Sequence, residues 1–133
     1  MPDAGPARRT SVEPLGERLR RSLRSRRVVV RDESMLPNLR PGDRLLVDPA
    51  AYREKPPRYG DLVVLRDPEA PERLLVKRVG MLATDHSARG QVYVLGDNPP
   101  LSRDSRAFGS VPVSALVGRV YRCYFPADRA RDL

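Results

Sequence analysis

Two side chains of this 133-residue sequence can do chemistry together, the hydroxyl of Ser34 and the amine of Lys77. Ser34 lies in the segment DESMLP (32–37), and Lys77 lies in the apolar segment LLVKRV (74–79). The chain has 25 Lys and Arg residues, yet lysine occurs only at positions 55 and 77. Arginine keeps its charge in proteins, whereas a buried lysine can lose its proton and act as a base. A neutral amine next to a serine hydroxyl makes a nucleophile without histidine.

The position of Lys77 in a strand-like segment leaves its protonation state open. Alternation along residues 74–79 places Leu75, Lys77 and Val79 on one face of a strand. Desolvation on such a face lowers the pKa of the amine toward neutrality, as a general base requires. The alternative is a lysine at a strand edge whose amine reaches water. The spacing favours neither interpretation.

Two other residues compete for the role of base. His86, the one histidine, lies in the polar segment TDHSARG (84–90). An exposed loop histidine is the more typical interpretation there, with a Ser-His-Asp triad as the alternative. Lys55 lies in EKPP (54–57), a segment that indicates an exposed and protonated amine. Lys77 is therefore the preferred candidate.

A third polar segment, GDNPPLSRDSR (96–106), follows a predicted strand. Its Gly, Asn and Pro residues fit a turn, but the other polar side chains add more hydrogen-bonding groups than a turn needs. Asp104 and Arg106 can pair or fix the loop backbone, and Ser102 can hold a lysine amine in place. A solvated polar loop is the alternative.

Short β-branched and apolar segments separated by Gly and Pro turns must position these residues. Strands are predicted at 28–30, 44–48, 61–66, 74–79, 91–95 and 118–125, with turns at 41–43, 56–60 and 67–72. This pattern predicts an all-β fold of mainly antiparallel strands, arranged as a coiled sandwich or barrel.

Residues 1–27 are distinctly basic. The net charge of the chain is +8, and this leader carries eight arginines against three acidic residues. Its composition predicts a disordered tail over residues 1–14 and a short helix over 15–27. Leu15, Leu19 and Leu23 form a stripe on that helix, open to weak contact with anionic lipid, nucleic acid or a protein partner. The alternative is a solvated, partly frayed helix.

The remaining composition bounds the class of protein. Cys123 is alone, which excludes an internal disulfide, and it shares a predicted strand face with Tyr121 and Phe125, which indicates a buried thiol. No segment approaches the roughly 20 apolar residues that cross a bilayer. The N-terminus lacks the apolar core of a secretion signal. We therefore expect a cytoplasmic location, and we predict no metal and no cofactor.

Three motifs in order resemble the serine–lysine peptidases of the type I signal peptidase family. They are SMLP (34–37), KR (77–78) and GDN followed by SRDSRAFG (96–109), and the resemblance covers residues 28–126. The resemblance implies the signal peptidase type of β fold, with Ser34 as nucleophile and Lys77 as its general base. It also implies that Ser102 hydrogen-bonds the lysine amine and that the Ser34 N–H is an oxyanion donor. The residues that it implies shape or support the site are Met35, Pro37, Arg78, Asp97, Asp104 and Arg106.

Further segments indicate which group of these peptidases the chain resembles most. LGDNP (95–99) continues into FGSVP (108–112) and GRV (118–120), and the chain shows no apolar anchor. These features are similar to those of the soluble peptidases that mature nickel-type superoxide dismutase by removing a short N-terminal leader. The implied partner is such a precursor protein. The implied domain plan is a leader at 1–27, a peptidase domain at 28–126 and a C-terminal tail at 127–133.

Three alternatives stay open. A general signal peptidase can act at the membrane through another subunit. A repressor-type self-cleaving domain has a similar fold, although residues 1–27 are too short for its DNA-binding domain. A catalytically impaired relative that binds peptide or nucleic acid is suggested by Asp32, where many relatives have Ser, Gly or Thr. A carboxylate two residues before the nucleophile would repel the developing oxyanion.

Overall fold

In the part of the chain that the structure describes, the fold is an antiparallel β structure with one helix of more than one turn. The computed structural model describes residues 12–82 and 90–133, and for residues 81 and 82 it describes the backbone only. Helix α1 precedes strands β1–β5, the one-turn helix α2 precedes strands β6–β8, and short 3-10 turns lie between the later elements. The bounds are α1 Leu15–Arg24, β1 Arg26–Val29, β2 Arg44–Asp48, β3 Leu62–Asp67, β4 Ala70–Leu82, β5 Gln91–Leu95, α2 Ser105–Phe108, β6 Val111–Pro112, β7 Leu116–Phe125 and β8 Arg131–Asp132.

The eight strands of the described residues all belong to one sheet. Its order is β1-β2-β7-β3-β4-β5-β6, and β8 pairs with β7 outside this path. Every pairing is antiparallel. Several ladders contain register shifts, which bend and twist a sheet locally. The all-β prediction is therefore confirmed.

Strand β3 lies at the centre and is buried on both faces. Leu62 and Val64 belong to one apolar cluster, whereas Val63 and Leu65 belong to a second. The period of two along a strand sends alternate side chains to opposite faces, so one central strand divides the core in two. The first cluster also holds Met35, and the second lies on the face of β4 that carries Leu75. The core thus supports both segments that carry the candidate dyad.

The predicted strands agree closely with the observed ones in the interior of the chain. Strands β2 and β5 have the predicted bounds, and β3 is shifted by one residue from the predicted segment 61–66. The predicted segments 74–79 and 118–125 lie within longer strands. Differences occur at the ends. Strand β1 begins at Arg26, inside the segment assigned to the leader. Residues 127–133 include a 3-10 turn and strand β8, which pairs with β7.

Helix α1 packs on the sheet through its arginines. Arg24 donates to both carboxylate oxygens of Asp48, at 2.9 and 3.1 Å. The guanidinium of Arg21 lies 4.2 Å from the centre of the Tyr121 ring. The leucine stripe points away, with exposed fractions of 80% for Leu15, 59% for Leu19 and 80% for Leu23. Within residues 12–82 and 90–133, no helix has the length and hydropathy needed to cross a membrane.

Candidate active site

The segment that carries Ser34 is a compact loop between β1 and β2. Its neck is closed by hydrogen bonds from Val30 N to Asp43 O at 2.9 Å and from Gly42 N to Val30 O at 2.8 Å. Gly42 has a φ of 94°, which favours glycine at this turn. Met35 packs into the first apolar cluster and anchors the loop there. The adjacent Ser34 is buried as well, with an exposed fraction of 2%.

Lys77 lies inside the sheet. It faces Val63 across the β3–β4 ladder and is flanked on its own face by the buried residues Leu75 and Val79. Its exposed fraction is 1%, the value of a core residue. Strand β4 has β3 on one side and β5 on the other, so Lys77 is not at a sheet edge. The predicted face is therefore confirmed, and the interpretation as an edge lysine reaching water is wrong.

The environment lowers the pKa of Lys77 below that of an ordinary lysine. Burial is the main cause, because a charged ammonium loses its hydration in the core. The carboxylates of Asp32 and Asp104 oppose this effect by favouring the ammonium, while Arg103 and Arg106 add to the lowering. A lysine that releases its proton more readily than in water is what a general base requires.

The 96–106 segment packs directly against the Ser34 loop. Asn98 donates from its backbone N–H to the Ser34 carbonyl at 2.9 Å and from its side chain to the Glu33 carbonyl at 3.0 Å. The backbone N–H of Asp97 approaches the sulfur of Met35 at 3.4 Å. The sheet brings the same segment close to Lys77, because its neighbour Arg78 pairs with Leu95 just before Gly96. The three motifs seen in the sequence therefore meet in space.

Gly96 lies where these segments approach most closely. A Cβ atom built on it would collide with the Ser102 hydroxyl and would come within 2.8 Å of the Ser34 carbonyl oxygen. A side chain at position 96 would therefore push the Ser34 loop and the 96–106 segment apart. The close approach explains why a glycine fits here on steric grounds alone.

Asp104 organises the 96–106 segment. Its carboxylate accepts hydrogen bonds from the Gly96 N–H at 2.9 Å, the Ser102 hydroxyl at 2.8 Å and the Arg106 guanidinium at 2.9 Å. Burial alone would raise the pKa of Asp104, but these donors outweigh it and hold the pKa far below the usual range. Because the Ser102 hydroxyl donates its hydrogen bond to Asp104, the lone pairs of its oxygen remain available to accept a hydrogen bond from an amine.

Asp97 joins the 96–106 segment to β4 and to the Ser34 loop. It accepts two hydrogen bonds of 2.9 Å from Arg78 and one of 2.8 Å from Asn38. Burial raises the pKa of Asp97, while Arg78 and Asn38 lower it, and the net effect is a lowered pKa. Arg78 also donates to the Gly60 carbonyl at 3.0 Å. Arg78 and Asp97 thus fix the relative positions of three segments and lie around the dyad rather than within it.

Asp32 contacts the candidate nucleophile itself. The Ser34 N–H donates to an Asp32 carboxylate oxygen at 3.0 Å. Partial desolvation of this otherwise exposed side chain raises the pKa of Asp32, but its interactions with the Ser34 side chain and N–H, helped by the charges of Lys77 and Arg73, lower the pKa overall. The sequence predicts the Ser34 N–H as an oxyanion donor, and in this structure that N–H is bonded to Asp32.

Several supporting residues were not singled out from the sequence. Asn38 bonds to Asp97, and Arg129 donates two hydrogen bonds of 2.8 Å to the buried carboxylate of Asp43 at the neck of the Ser34 loop. The segment RPGD (40–43) signals a turn, but nothing in the sequence indicates which of 25 basic residues pairs with Asp43.

The other candidate residues lie away from this cluster or outside the described residues. Lys55 is exposed, as predicted. Cys123 is a buried free thiol whose Sγ lies 3.4 Å from the Phe125 carbonyl, which confirms the structural interpretation. His86 lies outside the described residues. Within the described ranges, no group of three or more His, Cys, Asp or Glu side chains is placed to hold a metal ion.

Comparison with known proteins identifies the family. The family model described as signal peptidase, peptidase S26, matches residues 19–88 and 82–125. The chain belongs to this family. It is 38% identical over 105 residues to mitochondrial ATP-independent inner membrane protease subunit 1b of Arabidopsis thaliana, over 65% of this chain and 62% of that protein.

Two further relatives are matched over more of their length. The chain is 32% identical over 117 residues to subunit 1a of the same Arabidopsis protease, covering 74% of this chain and 70% of that protein. It is 29% identical over 136 residues to probable signal peptidase I-1 of Synechocystis, covering 73% and 69%. The chain thus spans between 62% and 70% of the length of these three relatives. The predicted family is confirmed, whereas the narrower likeness to superoxide dismutase maturation peptidases stays a prediction.

Proposed function

We propose that this protein is a serine endopeptidase in which Ser34 is the nucleophile and Lys77 is its general base. The observation that carries this proposal is the burial of Lys77, which lowers the pKa of its amine. The amine also interacts electrostatically with Asp32, whose carboxylate accepts a hydrogen bond from the Ser34 N–H. Membership of the signal peptidase family supports the same chemistry. No other lysine can serve among the described residues, since Lys55 is exposed on a loop.

The reaction begins when neutral Lys77 takes the proton of Ser34 as Oγ bonds to the scissile carbonyl carbon. The carbonyl π electrons move to the oxygen and form a tetrahedral oxyanion. When the C–N bond breaks, the Lys77 ammonium gives its proton to the leaving amine. A water activated by the same lysine then attacks the acyl-enzyme, and the departing Ser34 oxygen recovers the proton. In this mechanism the Ser102 oxygen accepts a hydrogen bond from the Lys77 amine, while the Ser102 hydroxyl stays hydrogen-bonded to Asp104 as donor.

The proposed substrate is a precursor protein with an N-terminal leader, bound as an extended strand beside the site. The resemblance drawn from residues 95–120 suggests a precursor of nickel-type superoxide dismutase and small side chains before the cleaved bond. A cytoplasmic location is part of the same proposal, and cell fractionation tests it.

The test is cleavage of such a precursor by the purified full chain, read by mass spectrometry of both products. Ser34→Ala and Lys77→Met should each abolish cleavage, because nucleophile and base are separately required. Lys55→Met is the matched control and should cleave normally, since that lysine is exposed. Full activity in Lys77→Met would disprove the mechanism. Cleavage of unrelated leader peptides but not of this precursor would disprove only the substrate.

The exposed stripe of α1 favours a second proposal, that the enzyme acts at an anionic membrane surface. Leu15, Leu19 and Leu23 face outward, and Arg18 and Arg20 on the same helix are exposed. An apolar stripe flanked by cations suits an interface of acyl chains and anionic headgroups.

Flotation with phosphatidylglycerol–phosphatidylcholine vesicles tests the membrane proposal. The native chain should float, and a Leu19→Gln, Leu23→Gln double variant should not. Leu74→Gln is the control, because it removes an exposed leucine from strand β4 instead of from α1. Equal flotation of the double variant would contradict the proposal. A shift with short duplex DNA and none with vesicles would assign the basic surface to nucleic acid instead.

A further inference from the structure

Asp32 occupies the position from which an oxyanion would be stabilised. Its carboxylate oxygen lies 3.0 Å from the Ser34 nitrogen, within the ordinary range for a hydrogen bond from this N–H. A developing oxyanion needs donors at about 2.7–3.1 Å, so the carboxylate and the oxyanion require the same N–H in the same direction. One N–H cannot serve both at full strength.

Charge makes this competition stronger than geometry alone. The pKa of Asp32 is lowered below its ordinary value, so the group is ionised at neutral pH. Its negative charge next to Ser34 disfavours a second negative charge at the same point, as in any pair of close anions. An ionised carboxylate also accepts a hydrogen bond more strongly than a neutral carbonyl, so the exposed Asp32 side chain competes with a substrate carbonyl for the Ser34 N–H.

Asp32 also acts on the proposed base. Its carboxylate favours the ammonium form of Lys77 and so opposes the effect of burial on the lysine pKa. The other charged groups that face these two residues are Asp104, which favours the ammonium, and Arg103 and Arg106, which disfavour it. Arg73, on the same strand as Lys77, favours the ionised form of Asp32.

We propose that Asp32 is a positioning residue that keeps the free enzyme at rest by capping the Ser34 N–H, and that a bound substrate must displace it. The inference rests on the proposed function of Ser34 and Lys77. It assigns to a bound peptide a task besides presenting its carbonyl, namely turning the Asp32 side chain away from Ser34. A substrate that cannot do this is cut slowly even though the dyad is intact, and Asp32 thereby sets selectivity.

Two variants of Asp32 distinguish the effect of its hydrogen bond to the Ser34 N–H from the effect of its negative charge. Asp32→Asn keeps an oxygen that can accept from the Ser34 N–H but removes the charge, whereas Asp32→Ala removes both. Glu33→Gln is the matched control, because it removes one carboxylate charge from the adjacent exposed residue. The Ala variant should raise kcat by about tenfold or more, since one oxyanion donor is typically worth 10²–10³ in kcat. The Asn variant should give a smaller increase, and Glu33→Gln should give none.

The pH profile provides a readout that a purely structural role would not move. Both Asp32 variants should shift the acidic limb of the kcat/KM profile, which reports the free enzyme, to lower pH, because removing the carboxylate lowers the pKa of Lys77. An NMR titration of ¹³C-labelled lysine measures the same change without substrate. The chain has two lysines, so Lys55 serves as an internal reference that should not move.

The outcomes distinguish this inference from the proposed function. If the native chain cleaves its precursor and Asp32→Ala is no faster, the cap is disproved while the dyad stands. If the Lys77 titration is the same in all variants, Asp32 is not coupled to the base and the proposal is likewise overturned. If neither the native chain nor Asp32→Ala cleaves, the proposed function fails and the capping role fails with it. Faster cleavage by Asp32→Ala, with Ser34→Ala inactive, supports both.

Discussion

Arg129 clamps the buried carboxylate of Asp43 through two hydrogen bonds of 2.8 Å, although 86 positions separate the two residues in the chain. Asp43 lies at the neck of the Ser34 loop and also accepts from the Arg40 N–H at 3.0 Å. The chain end that the sequence presents as a tail therefore secures the loop that carries the proposed nucleophile.

Arg129→Met should weaken both the fold and the cleavage reaction. The substitution keeps an unbranched side chain but leaves the Asp43 carboxylate without its partner, and a buried unpaired charge is destabilising. We expect a lower urea midpoint and a lower kcat. Arg122→Met is the matched control, since it removes an exposed pair with Asp132 and such pairs contribute little. Equal urea midpoints for the two variants would contradict the clamp.

Gly96→Ala should disrupt the site through steric overlap. The new Cβ would meet the Ser102 hydroxyl and the Ser34 carbonyl, so the two segments must separate. Overpacking of this kind costs about 1–3 kcal/mol in the free energy of unfolding, and we expect cleavage to fall to the background level. Gly16→Ala is the control, because no atom lies within 4 Å of its added Cβ. It lies in α1, where alanine should stabilise by roughly 0.5–1 kcal/mol. The prediction fails if the two variants have the same stability and activity.

Lys77→Met should flatten the pH dependence of stability on the alkaline side. The pKa of Lys77 is lowered in the folded state, so the unfolded chain binds more protons between that pKa and the ordinary value of 10.5. Native stability should consequently rise with pH through this window and level off above it. Urea unfolding from neutral to alkaline pH measures the slope. Lys55→Met should keep the native slope, and the same slope in Lys77→Met would show that this lysine is not desolvated.

Acidification should destabilise the protein through aspartates that accept hydrogen bonds or pair with arginines in the folded state. Asp32, Asp48, Asp97 and Asp104 all have a pKa lowered below the ordinary 3.8. The stability that they contribute is present above the unfolded pKa and is lost as the pH falls through the folded values. Each unit of pKa difference corresponds to about 1.36 kcal/mol.

Asp48→Asn is the informative variant for this acid effect, because Asp48 holds α1 and lies outside the proposed site. The variant should lose less of its unfolding free energy than the native chain as the pH falls below about 4, as measured by urea midpoints. Its precursor cleavage rate at neutral pH should be unchanged. A steeper acid loss in Asp48→Asn than in the native chain would be the opposite of this expectation.

Much of the fold follows from patterns that act over a few residues. Apolar and β-branched segments between turns predict the bounds of β2 and β5. Alternation along residues 74–79 predicts the face on which Lys77 lies, because side-chain direction along a strand has a period of two. Gly and Pro mark the turns between the strands. The pattern is weaker at the chain ends, where the short strands β1 and β8 have few apolar residues and depend on their partners.

The motifs also indicate which segments come together, but the precise contacts depend on packing. Asp32 was recognised from the sequence as a difficulty for catalysis, whereas its hydrogen bond to the Ser34 N–H depends on the conformation of the loop. Arg78 and Asp97 were both selected as site-shaping residues, and their pairing became evident only from the structure.

The sequence by itself determined the family motifs, the all-β pattern and the rarity of lysine that makes Lys77 conspicuous. Only the tertiary structure decided that Lys77 is buried between neighbouring strands, that Arg129 pairs with Asp43, and that α1 packs through its arginines with its leucines outward. The reason is that local periodicity fixes the direction of each side chain. Desolvation and ion pairing, in contrast, depend on residues distant in sequence, and among so many arginines and acids the chain alone does not specify the partners.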